Sequence, residues 1–120
     1  MIYLDYAAHA PADPAVLERF CDMERRFPAN PNSVHAAGKA AREEMARVTE
    51  QIAALTGASP AEVIFTSGAT EANNLAITGS CSAYARDHGR AGAVVTSALE
   101  HPSVTKTVRG LKRDGWTVFY

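Results

Sequence analysis

From residue 63 onward the chain alternates short apolar runs with helical patterns, and this alternation restricts the fold more than any other feature. VIFT (63–66), AVVTS (93–97) and WTVFY (116–120) read as strands. Between them, one helix opens at about Glu71 and runs to roughly Asp87 before Gly89. Another opens at His101-Pro102, carries Val104, Val108 and Leu111 on one face, and ends at Gly115. Successive strands joined by helices give a parallel sheet with right-handed crossovers. Parallel strands are covered on both faces, which suits runs that are apolar throughout. The expected class is therefore α/β, a parallel-type β-α-β-α-β unit preceded by helices. A sheet ending at its third strand would leave a bare apolar edge, so the sequence reads as interrupted.

The first half supplies the helices. IYLD (2–5) is a short strand candidate. Asp13 before Pro14 is an N-cap followed by proline at the first helical position, and that helix runs to about Phe27. Pro28-Ala29-Asn30-Pro31-Asn32 is a loop. Ser33 is the predicted cap of a long helix reaching Leu55 and closing at Gly57. Val34, Ala37, Ala41, Met45, Val48, Ile52 and Leu55 recur at steps of three and four along it. Glu43 and Arg47 are spaced for an i,i+4 pair on its outer side. Ser59-Pro60-Ala61-Glu62 has the form of a capping box.

Composition narrows the setting. The chain has 120 residues, twelve Lys+Arg against thirteen Asp+Glu, and a net charge of −1. That balance offers no basic face for nucleic acid and no polybasic anchor for a membrane. No apolar run approaches the ~20 residues that span a bilayer, and MIYLDYAAHAP has no leader pattern. A soluble, cytoplasmic chain is expected. Alanine supplies 23 residues of the 47% hydrophobic share, and Leu, Ile, Val and Phe together supply another 23. The bulky core is thin, which fits Ala-rich helices packed against something further. Cys21 and Cys81 have no metal-ligand spacing and are expected as free thiols within helices. No metal site is predicted.

In an open parallel sheet, ligands bind beyond the carboxyl ends of the strands. Two such ends carry chemistry. Thr66-Ser67-Gly68-Ala69-Thr70-Glu71 joins small residues to a helix start, whose free amides and dipole favour an anion such as phosphate. The alternative is a tight turn with Thr70 as N-cap. Ser97-Ala98-Leu99-Glu100-His101-Pro102 places His101 on the same rim, where it could stack on a flat ring or move a proton near neutral pH. The alternative there is a plain helix cap. His35 is read as a helix-start residue, and His88 as a charge near a helix C-terminus.

Together, TSGATEANNLAI and VVTSALEHPSV resemble the cysteine desulfurases of the class V aminotransferase group, pyridoxal-phosphate enzymes of fold type I. YLDYAAHAP stands where that family usually has YLDNAATTP, and ANPNSVHAAG where it has GNPSSxHxxG. The TSGATEANN form is similar to the branch that serves iron–sulfur cluster assembly. The resemblance implies the N-terminal portion of the fold type I large domain. Residues 1–13 would form a segment near the active site, and residues 14–120 an incomplete N-terminal part of the cofactor-binding domain. It also implies that Ala69 and Thr70 hold the cofactor phosphate and that His101 stacks on the pyridine ring and acts in catalysis. The family substrate is L-cysteine, yielding alanine and enzyme-bound persulfide sulfur, and family members are homodimers.

Four positions depart from the pattern: Tyr6 stands for a usual Asn, His9 and Ala10 for a Thr pair, and Ala29 for a Gly. Catalysis in the family also needs a Schiff-base lysine, a carboxylate for the pyridine nitrogen and a mobile cysteine, all of which lie beyond the stretch matched here. Lys39, Lys106 and Lys112 read as solvated surface, none of them on the strand-end rim, and neither cysteine matches the catalytic one. Two readings stay open. One is the N-terminal part of a desulfurase-like enzyme completed by a second chain or a continuation. The other is a catalytically inactive truncated product or binding fragment. A further option is a different class V reaction on the same fold.

Overall fold

The computed structural model describes residues 2–120. Backbone packing divides the chain into two compact units, one ending at Val63 and the other comprising Ile64–Tyr120.

The first unit is helical. Asp13 Oδ1 accepts the Ala15 amide at 2.8 Å and Pro14 follows, so α1 (Pro14–Arg26) starts where the sequence places it. No residue of α1 is buried, and Val16, Leu17 and Phe20 stand exposed on it. The long helix α2 (Ala36–Thr56) is capped by His35, whose Nδ1 accepts the Gly38 amide at 3.2 Å, and not by the predicted Ser33. Ser33 instead donates its amide to Asn30 O, and its carbonyl lies where a Cβ on Gly38 would fall, 2.5 Å away. The loop thus packs against the first turn of α2 and leaves the capping position two residues later. Gly57 closes the helix at φ +70°, in the left-handed region.

Only part of the predicted apolar face of α2 is covered. Ala41 and Ala53 are buried, Val48 and Ile52 half-buried, and Val34, Met45 and Leu55 exposed. The expected Glu43–Arg47 pair is replaced by Arg47 on Glu44, with Nε at 2.8 Å, while Arg19 of α1 reaches the same carboxylate at 3.4 Å. Two guanidiniums thus converge on Glu44. The Ser59 amide and hydroxyl both donate to Glu62 Oε2, closing the short 3-10 turn Pro60–Glu62 as a capping box. The strand predicted at 2–5 does not form among the described residues. A turn at 6–8 follows this stretch, with Ala8 and His9 amides on Asp5 O and the Tyr3 hydroxyl on the carbonyls of Asp5 and His9.

The second unit contains α3 (Ala69–His88), β1 (Ala93–Val95), α4 (Pro102–Leu111) and β2 (Thr117–Phe119). The strands pair in parallel, Ala93 with Thr117, Val94 with Val118 and Val95 with Phe119. This is the helix-linked parallel arrangement that the alternating pattern predicts. The expected first strand, 63–66, makes no ladder bonds among the described residues. A strand exists only with a neighbour, and the boundary between the two units falls inside this run. Ile64 and Phe65 are consequently exposed.

The core of this unit is Cys81, Leu111 and Trp116, with Ile77, Ala85, Ala91 and Val94 packed against it. Each large side chain buried here contributes about 2 kcal/mol. Gly115, at φ +83°, lets the Trp116 amide turn back to Leu111 O and carries the indole inward. Cys21 is exposed and Cys81 buried; burial pushes the Cys81 thiol above its usual range. Among the described residues, no helix is long and apolar enough to cross a membrane.

Gly92 sits where β1 begins, under two aromatic rings. A Cβ there would lie 2.8 Å from Tyr84 Cε1 and 3.2 Å from Trp116 Cζ3. Gly92→Ala should therefore destabilise the fold by about 1–3 kcal/mol. Trp116 is the only tryptophan, so a denaturant titration followed by its fluorescence reports this unit directly. An unchanged midpoint would contradict the packing.

Candidate functional site

α3 begins at Ala69, two residues before the predicted start, and its N-cap is Gly68, which offers no side chain. Thr70 therefore lies inside the helix and is not its cap. The first-turn amides of α3 have no side-chain acceptor, the condition under which a helix start receives an anion. Glu71 turns back on the preceding loop and accepts both the amide and the hydroxyl of Ser67 at 2.7 Å. These bonds, the amide first, hold its carboxyl below the usual carboxylate range.

His101 heads α4. Its Nδ1 accepts the Ser103 amide at 3.1 Å and lies 2.8 Å from Ser103 Oγ. The capping role open to it from sequence is thus real, and it leaves Nε2 without a protein partner among the described residues. Ser103 is buried and receives Asn73 Nδ2 at 2.9 Å. One residue along α3, Asn74 donates Nδ2 to Thr70 O at 2.8 Å and accepts the Thr107 hydroxyl at 2.7 Å. Two asparagines of α3 thereby grip two hydroxyls of α4.

This grip brings the two helix starts together around an open cleft of about 410 Å³. Thr70 and Asn74 line it from α3, and His101, Ser103, Lys106 and Thr107 from α4. Ala69 adjoins Thr70 at the first helical position and does not line the cleft with its side chain. Lys106 is exposed, as expected of a solvated lysine, yet it departs from expectation by lining this rim. Its spacing of three and four from Ser103 and Pro102 puts it on the same helical face. No Asp or Glu lines the cleft. Two helix N-termini and an ammonium group make the cleft suited to an anion.

Asn73, Asn74, Ser103 and Thr107 were not singled out from sequence. The available signal was their spacing, adjacent residues on one helix and i,i+4 on the next. Elsewhere, Tyr6 meets the Tyr3 ring edge-on at 5.1 Å in the first unit. His88 stacks on Tyr84 at 3.9 Å with Nδ1 2.9 Å from Tyr84 O, so it packs on the last turn of α3.

The sequence profile of the aminotransferase class-V family matches residues 2–120. Cysteine desulfurase IscS of Aeromonas hydrophila is 43% identical over 99% of the chain, and that of Azotobacter vinelandii 40%. The chain spans 30% of the length of these relatives. Among solved structures, a NifS-like protein is similar with a TM-score of 0.83 and 33% identity over 99% of this chain and 32% of its own. SspA in complex with cysteine follows the chain at 0.79 and 36% identity, over 98% of this chain and 33% of its own.

The Glu71–Ser67 clamp gives the loop a pH dependence of definite sign. A carboxyl whose folded value is lowered stabilises fully above the unfolded value and loses that contribution as pH falls through the folded one. The stability difference between wild type and Glu71→Gln should therefore shrink on acidification from about pH 6 to about pH 3. Parallel denaturation midpoints across that range check it; a difference that grows on acidification refutes the clamp.

Proposed function

The chain belongs to the aminotransferase class-V family, and on that premise we propose that it is part of a pyridoxal-phosphate-dependent cysteine desulfurase. It would serve as the N-terminal portion that anchors the cofactor phosphate and faces its ring. One observation carries the reading: Thr70 at the start of α3 and His101 at the start of α4 line one carboxylate-free cleft. The similarity to the IscS proteins over the whole chain supports the same assignment.

The residues present fit the group. The side-chain-free cap of α3 leaves amides for a phosphate at Ala69 and Thr70, and the Thr70 hydroxyl adds a further donor. Bound pyridoxal phosphate supplies an electron sink for a carbanion beside the substrate nitrogen. His101, which lines the same cleft, would face the ring and could hold or give a proton at Nε2. By the family resemblance, residues 1–13 would be the N-terminal segment of the intact enzyme and residues 14–120 part of its cofactor-binding large domain. The substrate is L-cysteine, and its sulfur goes to iron–sulfur cluster assembly. The intact enzyme is a homodimer in the cytoplasm.

The Schiff-base lysine and the sulfur-accepting cysteine are supplied from outside these 120 residues. Lys39 and Lys112 are exposed and are not among the residues lining the cleft, Cys21 is exposed on α1, and Cys81 is in the core. Lys106 alone shares the cleft, which makes it the lysine to test. Borohydride reduction of the chain with pyridoxal phosphate, followed by peptide mapping, should give no stoichiometric adduct at Lys106. The purified chain with cofactor, cysteine and reductant should release no sulfide. Robust release would overturn the claim that the chemistry needs a complement.

For the cofactor site itself, calorimetric titration of the chain with pyridoxal phosphate should show affinity lowered roughly 10- to 100-fold in Thr70→Ala, the range for one hydrogen bond to a charged group. Pyridoxal, which lacks the phosphate, should bind more weakly than the phosphate ester and lose nothing further in that variant. Unaltered affinity in both Thr70→Ala and His101→Ala would remove the assignment.

A further inference from the structure

The proton that His101 carries has a fixed address, and the residues fixing it lie behind the ring. A backbone amide can only donate, so the Ser103 N–H at 3.1 Å requires Nδ1 to be an acceptor. The Asn73 amide nitrogen can likewise only donate, so Ser103 Oγ is an acceptor toward it at 2.9 Å. That leaves the Ser103 hydroxyl proton free for the acceptor 2.8 Å away, which is again Nδ1. Two donors on Nδ1 place the proton of the neutral ring on Nε2. Ser103 is 7% exposed, so water does not readily substitute for either bond.

We propose that Ser103, oriented by Asn73, is a positioning residue that locks neutral His101 as the Nε2–H tautomer, so that toward the cleft the ring presents a donor and not a base. The inference rests on the reading of His101 as the ring-facing residue. It deepens that reading by giving the direction of transfer: neutral His101 gives a proton from Nε2, and it can accept one only at Nδ1, by giving up the Ser103 amide. Nε2 is open to play this part, since it has no protein partner among the described residues. Neither Asn73 nor Ser103 touches the reacting atoms; they act through the imidazole. A serine that merely capped α4 would need no asparagine behind it, and the His101 side chain already caps that helix.

The test is nitrogen-15 NMR of the labelled chain at a pH where the ring is neutral, with His101 assigned by its absence in His101→Gln. Wild type should show a protonated Nε2 and an acceptor Nδ1. Ser103→Ala should raise the Nδ1–H population about fivefold, the worth of one neutral hydrogen bond. Ser103→Thr should restore the wild-type ratio, and Asn73→Leu should move it in the direction of Ser103→Ala. The asparagine variant keeps the test decisive if Ser103→Ala fails to fold. A wild-type ring protonated at Nδ1, or a Ser103→Ala ratio equal to wild type beside a lowered melting temperature, would overturn the proposal and leave a structural serine. A tautomer that follows prediction while pyridoxal phosphate binding ignores His101→Gln would instead sink the cofactor reading and leave the lock standing.

Discussion

The seam between α3 and α4 is the contact on which the candidate site depends. Its inner part is apolar, where Cys81, Leu111 and Trp116 exclude water. Toward the helix starts it becomes polar, with Asn73 on Ser103 and Asn74 on Thr107. Apolar burial supplies most of the free energy but little direction, since it tolerates rotation of one helix against the other. The amide–hydroxyl pairs add direction, because each has a fixed length and angle. Thr70 and His101 reach one cleft because this register is set several residues deeper in the helix pair.

Local chemistry was readable from the chain, and partnership was not. Asp13-Pro14, the Ser59–Glu62 box, His101-Pro102 and the glycines at 57, 89 and 115 each act within a few residues, and each stands where the sequence places it. The misreadings share a cause. IYLD and VIFT are good strand sequences, but a strand is a property of two segments, and no pairing neighbour exists for either among the described residues. Ser33 has the right side chain for a cap and loses the place to His35 through loop packing on Gly38. Arg47 pairs with Glu44 at i−3 rather than with Glu43, and Arg19 of α1 shares that carboxylate.

The same division runs through the site. A small-residue turn before a helix and a histidine before a proline mark two helix starts, and the packing of α3 on α4 brings those starts to one cleft. What they could not show is the second layer. Asn73, Asn74, Ser103 and Thr107 are ordinary helix residues until α3 and α4 are laid side by side, and Lys106 is an ordinary surface lysine until a cleft opens beside it. Supporting groups of this kind act across elements, so a single sequence carries only their spacing.

The two-stranded sheet has consequences for handling the chain. β1 and β2 satisfy each other along one side only, and Val95 and Phe119 remain 80% and 55% exposed. Unpaired backbone on an apolar edge is a template for any other extended segment, and Ile64 and Phe65 form one within the same molecule type, 67% and 56% exposed. Intermolecular strand pairing therefore competes with solubility as concentration rises. The colloidal behaviour of the isolated chain follows from hydrogen-bonding capacity left open at a sheet edge, quite apart from how firmly its small core is packed.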